Sequence, residues 1–470
     1  MVQHPVQILY LADDSKLVFN RDAFSSTISH LESINPEIII MTINGALRTG
    51  KSFLMNCILQ YIKNGEFKPD SKLSLNGFVW QHGVKPDTMG MWMWGEPIKI
   101  TDNKYLLLID TQGIFDSNLN PRLTTCLFGL STLISSVQIY NLEHRIQEDH
   151  LQHLELFTEY AKVVADNHKP FQRLHFLIRD WPNFTDPLNP KLCKQESIDY
   201  LNSIMNLNNK YPHAETTRRN IQQCYQTIDC DCLPHPSLDV AEGRFIDDFA
   251  EIRPNFVVNL NNFIGRILTT MESKTILSKQ IHLNDVAEYM ERYLEMLYDH
   301  NSLPEPNTIF NTTVDVLEMG IRHDTITMYK NEMIKMVNLS NTGILKIHDL
   351  HLETLKLIHN YAESRLIISS PERKIKFYDF LSREISSEYK KINKINNQKL
   401  KWLLYIWVTV IGIIGLIMSS FTNLVCDADV CVKISNFSYG VFLICILILI
   451  LLIAQLTGLF VIVKQKIKYA

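Results

Sequence analysis

The stretch EIIIMTINGALRTGKSFLMNCI, residues 37–58, joins an apolar, β-branched run to an amphipathic one through a loop bounded by glycines. Glu37 to Ile43 has the make-up of a buried strand, and Phe53, Leu54, Cys57 and Ile58 recur at helical spacing. Between them lies Gly45-x-x-x-x-Gly50-Lys51-Ser52. Glycines so spaced let successive backbone N–H groups face one concavity at a helix N-terminus, which is a place for phosphate. Gly45, Thr49, Gly50 and Phe53 are expected around the phosphates, with Lys51 on the β and γ groups and the Ser52 hydroxyl on Mg²⁺. The order strand, phosphate loop, helix predicts an α/β domain with a mixed, mainly parallel sheet flanked by helices.

Outward from there, Tyr105 to Ile109 is a second apolar strand, and it ends in Asp110-Thr111-Gln112-Gly113. An acid at that strand end is suited to hold the Mg²⁺ water shell, and the Gly113 N–H to meet the γ phosphate. Taken alone the pattern is also that of a capping Asp before a turn glycine. Thr88, in the segment between the two strands, is placed to close on Mg²⁺ when a γ phosphate is present; by itself it reads as a loop hydroxyl. No Asn-Lys-x-Asp guanine signature follows. Instead the strand Leu174 to Ile178 runs into Arg179-Asp180. The Asp180 carboxylate could accept both the N1 and N2 donors of guanine, a donor pair that adenine lacks, or the two residues form a surface ion pair.

At 470 residues the chain is long enough for two or three folded units, and a net charge of −4 points away from nucleic acid as a partner. Its 9 cysteines are scattered, as expected in a reducing compartment, and Met1 to Tyr10 has no apolar leader core. Cys193, Cys224, Cys230 and Cys232 with His235 fit no paired zinc spacing.

Trp402 to Val425 and Phe437 to Val463 carry no charged residue, and both suffice to cross a bilayer. Lys390, Lys391, Lys394, Lys399 and Lys401 precede the first run, and Lys464, Lys466 and Lys468 follow the second, which places both termini in the cytosol. The sequons at Asn183, Asn311 and Asn338 are then expected to be unused. Cys426 and Cys431 fall in the connecting loop, free or paired. Apolar positions at helical spacing between Asn307 and Asn397 predict a helical bundle, with Pro304 and Pro306 at its hinge. The expected division is 1–300 nucleotide domain, 301–307 linker, 308–400 helical bundle, 401–463 transmembrane hairpin (402–425 and 437–463) and 464–470 cytosolic tail.

Gly45 to Asn56, Asp87 to Trp94, Asp110 to Gly113, Arg179-Asp180, Leu233-Pro234-His235-Pro236 and the linker at Leu303 to Pro306 together resemble the atlastin and guanylate-binding branch of dynamin-superfamily GTPases. The resemblance implies GTP as substrate with Mg²⁺, a three-helix middle domain, and a hairpin in the endoplasmic reticulum membrane. It implies dimerisation in trans across two bilayers and homotypic fusion of tubules. Arg48 would be an arginine finger supplied in cis, since Ile114 cannot orient water. The seven residues after Val463 are shorter than the amphipathic tail of efficient fusers, which leaves a tether or membrane-shaping protein as the alternative reading. An ATPase would need adenine at Asp180.

Overall fold

The computed structural model describes residues 4–12, 16–46, 49–68, 77–78, 90–111, 121–155, 169–206, 212–238, 252–277, 279–299, 306–339, 347–366, 369, 371–425 and 429–456. Two compact units divide the chain, 1–320 and 321–470.

The first unit is organised by one sheet. Its strands are β1 (Pro5–Leu11), β2 (Leu17–Phe19), β3 (Glu37–Gly45), β4 (Met91–Trp94), β5 (Ile98–Thr101), β6 (Lys104–Thr111), β7 (Val137–Glu143), β8 (Phe171–Arg179) and β9 (Tyr225–Cys232), in the order β2-β1-β4-β6-β3-β7-β8-β9 with β5 against β6. From β6 to β9 the neighbours are parallel, while β1, β2, β4 and β5 pair antiparallel. The β3 side chains explain why helices cover both faces. Ile38 and Ile40 enter one buried cluster, and Ile39, Met41 and Ile43 enter another. β6 divides in the same way, Leu107 and Ile109 from Leu106 and Leu108. A strand apolar at every position buries both faces, and its period of two sorts the residues between them.

Helices α1 (Arg21–Ile28), α2 (Lys51–Asn64), α3 (Pro121–Ile134), α4 (Glu148–Glu155), α5 (Pro190–Met205), α6 (Pro212–Cys224), α7 (Pro254–Thr270) and α8 (Val286–Asp299) complete this unit. On one face α2 and α7 share a cluster through Phe53, Leu54, Ile58, Phe256, Leu260 and Phe263. On the other, α3 and α8 meet through Leu127, Leu130, Tyr293 and Leu297. The start of α9 (Pro306–Leu339) adds Ile309, Val316 and Leu317 to that second cluster.

The second unit is helical. The end of α9, α10 (Ile347–Glu363) and the first part of α11 (Pro371–Val425) enclose Ile321, Tyr329, Met333, Ile358, Ala362, Phe377, Leu381, Ile385 and Ile392. α11 continues unbroken for 55 residues and turns back into α12 (Asp429–Leu456). Small residues let these two helices approach: Ser419 and Ser435 hydroxyls lie 3.0 Å apart, and a Cβ at Gly415 would sit 3.0 Å from the Ser438 carbonyl oxygen. Trp402, Ile406, Trp407, Ile413, Ile417, Phe421, Phe437, Ile444 and Leu447 point outward and are exposed.

The sequence places spanning segments at 402–425 and 437–463. Among the described residues no helix is long and apolar enough to cross a membrane. Side chains are described at 401–402 and over 405–421 and 433–448, and the C-terminal ends of both charge-free runs lie outside them, as do Cys426 and the Cys431 side chain.

Candidate functional site

The C-terminal ends of β3, β6, β7 and β8 meet at the point where the strand order reverses. After β3 the chain forms β4, β5 and β6 on one side and then crosses to β7 on the other, so that the parallel neighbours β6 and β7 flank β3 and a crevice opens above it. Gly45 ends β3 there, where a Cβ would run into the carbonyl oxygen of Asn141 on β7. Gly50 caps α2 in the left-handed conformation, φ 71°, which glycine adopts without strain. Lys51 and Ser52 therefore open α2 with the first free N–H groups of the helix.

Lys51 is buried, and its ammonium donates to the Ala46 carbonyl oxygen at 2.8 Å. Burial pulls its pKa down to about 8, against the opposing pull of Asp110, and Arg179 lowers it further. Asp110, at the end of β6, is pushed up to about 6 by burial, in spite of the hydrogen bond from Ser52 and the charge of Lys51. The Ser52 hydroxyl donates to Asp110 Oδ2 at 2.5 Å. Among the described residues Asp110 Oδ1 is buried and meets no donor. A buried carboxylate oxygen left open beside a hydroxyl is a hard oxygen donor set, and a small divalent cation such as Mg²⁺ fits it.

Arg179 closes the site from β8. Its guanidinium pairs with Glu143 at 2.8 Å and with Asp180 at 3.6 Å, and it lies 3.1 Å from where a Gly50 Cβ would be. Of the two sequence alternatives for this dipeptide the ion pair forms, and its Arg179 lies against the phosphate loop. Asp180 has φ 57°, unusual for a residue with a side chain, and its neighbours hold the corner in place. His144 N–H donates to the Arg179 carbonyl, Trp181 N–H to that of Leu233 and Leu233 N–H to that of Ile178. The Leu233-to-Pro236 motif is thereby tied to Arg179-Asp180. Thr49 and Phe53 flank the loop, Phe53 with its ring in the core beneath α2. Arg48, Thr88 and Gly113 lie outside the described residues.

Two contributors escape the motif reading. Asn141 Nδ2 donates to the Thr49 carbonyl at 2.7 Å and to Thr49 Oγ1 at 3.0 Å, so β7 pins the phosphate loop. Glu143 holds Arg179. Both stand at the end of an apolar run, and a polar residue at such an end was the signal to follow.

Cys193, Cys224, Cys230 and Cys232 are all buried. Among the described residues one trio of potential metal ligands converges, His175, Asp229 and Asp231. Lys194 Nζ already stands between the two acids, 2.6 Å from Asp229 and 3.0 Å from Asp231, and Arg266 pairs with Asp231, so the protein's own cations fill that place.

Residues 14–276 match the family model for the guanylate-binding protein, N-terminal domain. The chain is 30% identical over 456 residues to atlastin-1 of Macaca fascicularis, covering 90% of this chain and 80% of that protein. It is 34% identical over 332 residues to atlastin of Drosophila melanogaster, covering 66% of this chain and 60% of that protein. With atlastin-2 of Homo sapiens the identity is 29%, covering 84% of this chain and 70% of that protein. The phosphate loop, the acid at the end of β6 and the Arg179-Asp180 corner lie within or beside the matched segment, and the likeness to atlastins runs on through the helical unit. The chain belongs to the atlastin and guanylate-binding family, and its first unit is a GTPase domain of that type.

Proposed function

We propose that this chain hydrolyses GTP with Mg²⁺ from a position anchored in the endoplasmic reticulum membrane, pairs in trans with a second copy on an opposing bilayer, and drives homotypic fusion of tubules. The observation that carries the catalytic half is the trio Lys51, Ser52 and Asp110, held within hydrogen-bond reach of one another or of the loop, with Asp110 Oδ1 open. On nucleotide entry the Lys51 ammonium exchanges the Ala46 carbonyl for phosphate oxygens, and the N–H groups opening α2 receive the same charge. Mg²⁺ held at Ser52 and, through water, at Asp110 would offset charge on the transferring phosphoryl group, with Thr88 closing from the far side. Arg48 is the in-cis source of positive charge in the transition state, and Gly113 offers an N–H to the γ phosphate. Asp180, oriented by Arg179, accepts from the guanine edge.

The membrane half rests on the charge-free runs 402–425 and 437–463 and on the outward-facing tryptophans and aliphatics of α11 and α12. An apolar surface of that kind needs lipid or a partner to cover it. In the atlastin resemblance it is the hairpin, with both termini in the cytosol.

Full-length protein, wild type and Arg48→Ala, reconstituted in two liposome populations and followed for turbidity and lipid mixing, tests the whole reading. Mixing that requires hydrolysable GTP and is lost in Arg48→Ala, with turnover down roughly 10³-fold or more and GTP still bound, is the expected result. GTP-dependent clustering without mixing would make the chain a tether. Equal turnover of ATP would overturn the role given to Asp180.

A further inference from the structure

Between the helical core of the second unit and its exposed apolar surface, α11 carries a basic face. Ile385, Ile392 and Asn396 point inward and are buried. At 100° per residue Lys390, Lys394, Asn397 and Lys401 fall within about 60° of one another on the opposite side of the helix. With Asn393 and Gln398 they line a shallow, open groove of about 370 Å³ formed by their own side chains along this one helix. Lys390, Lys394 and Lys401 are all exposed there. Lys391, on the flank, is paired with Glu388 at 2.8 Å, and after Glu388 no acidic residue occurs through Val425. The groove therefore keeps its positive charge. It also ends where Trp402 begins the exposed apolar face, 67% exposed and followed by Trp407 at 63%.

We infer that the Lys390, Lys394, Lys401 groove of α11 binds the phosphate headgroups of anionic lipids, selecting the lipid around the hairpin. The inference rests on the anchoring proposed above. The occupant is fixed by charge and by continuity. Three cationic side chains with amide donors between them suit a phosphate monoester or diester, and the contiguous tryptophan-bearing surface suits the acyl region beneath it. A rise of 1.5 Å per residue sets Lys401 and Lys390 about 16 Å apart, so Lys401 and Lys394 stand nearest the membrane boundary at Trp402. Each lysine close to an anionic surface is worth about fivefold in affinity, and the attraction fades within about 10 Å at ordinary ionic strength.

The test uses the full chain in phosphatidylcholine vesicles containing trace spin-labelled phosphatidic acid, phosphatidylserine or phosphatidylcholine. Electron paramagnetic resonance gives the fraction of each label restricted by the protein. The acidic labels are expected to associate about tenfold more strongly than the choline label, with the preference reduced by salt and lost in the triple variant Lys390→Gln/Lys394→Gln/Lys401→Gln. Lys376→Gln, exposed further up the same helix, should leave it intact. Flotation separates the two readings. Protein that fails to float with vesicles refutes the anchor, whereas protein that floats but restricts all labels equally refutes the groove alone. Abolition of the preference by millimolar inorganic phosphate at constant ionic strength would identify a free-phosphate site and overturn the lipid assignment.

Discussion

Asn141 shows what a single side chain contributes to the phosphate loop. Its amide nitrogen holds both the carbonyl and the hydroxyl of Thr49, and it does so from a strand parallel to the one that launches the loop. Asn141→Ala should leave the fold intact and lower GTP affinity about tenfold, in line with the cost of one or two lost buried hydrogen bonds, as measured with a fluorescent GTP analogue. Gly45→Ala is the severe counterpart, since its methyl would enter the Asn141 carbonyl, and no nucleotide binding is expected. Lys51, Ser52 and Asp110 are legible in the sequence as companions because each belongs to a local pattern of fixed spacing. Asn141 and Glu143 are not, because their partners are set by the β3 to β7 and β7 to β8 register, which no local spacing encodes.

At the scale of elements, apolar runs announce β3 and β6, and burial on both faces explains them, whereas in β8 Arg173 and His175 break the apolar run before Phe176 to Ile178. β1 and β2 are less visible in the sequence, since an edge hairpin buries only part of its side chains. The end of α3 is secured by a device that pattern reading cannot see. Lys274, fully buried, donates to the carbonyls of Leu133 at 2.9 Å and Ser135 at 2.7 Å, where the helix needs acceptors satisfied and favours a cation. Burial pulls its pKa down to about 7. A base whose folded pKa is depressed costs stability wherever it must be charged. The cost is full below about pH 7 and vanishes as pH rises toward the unfolded value of 10.5. Unfolding free energy should therefore rise by up to about 1.4 kcal/mol per pH unit across that window through this group. Subtracting the denaturation curves of Lys274→Met from those of the wild type should isolate the slope; parallel curves would show that Lys274 stays protonated on its two carbonyls.

For the whole molecule, core membership is more informative than proline punctuation. The expected linker at 301–307 falls mostly outside the described residues; beyond it Ile309, Val316 and Leu317 are buried in the same cluster as Leu283, Tyr293 and Leu297, and the compact unit ends at Gly320, inside α9. A fragment ending at residue 300 is expected to melt several degrees below one ending at residue 339, because burying each such aliphatic side chain is worth about 1.5–3 kcal/mol. Equal melting temperatures would mean that the start of α9 contributes nothing to the first unit's stability.

The continuity of α11 has a mechanical meaning. A helix of 55 residues with no internal break is a shaft about 80 Å long, and whatever twists one end twists the other. Its core face, its lysine face and its apolar face are locked in phase, like cams on one axle. Inserting two residues at the Lys401 to Trp402 junction would put the cams 200° out of step, whereas inserting four would leave an error of only about 40°. A GTP-driven process that depends on this shaft should survive the longer insertion better than the shorter one, whereas a process that needs only proximity would grade the two by length.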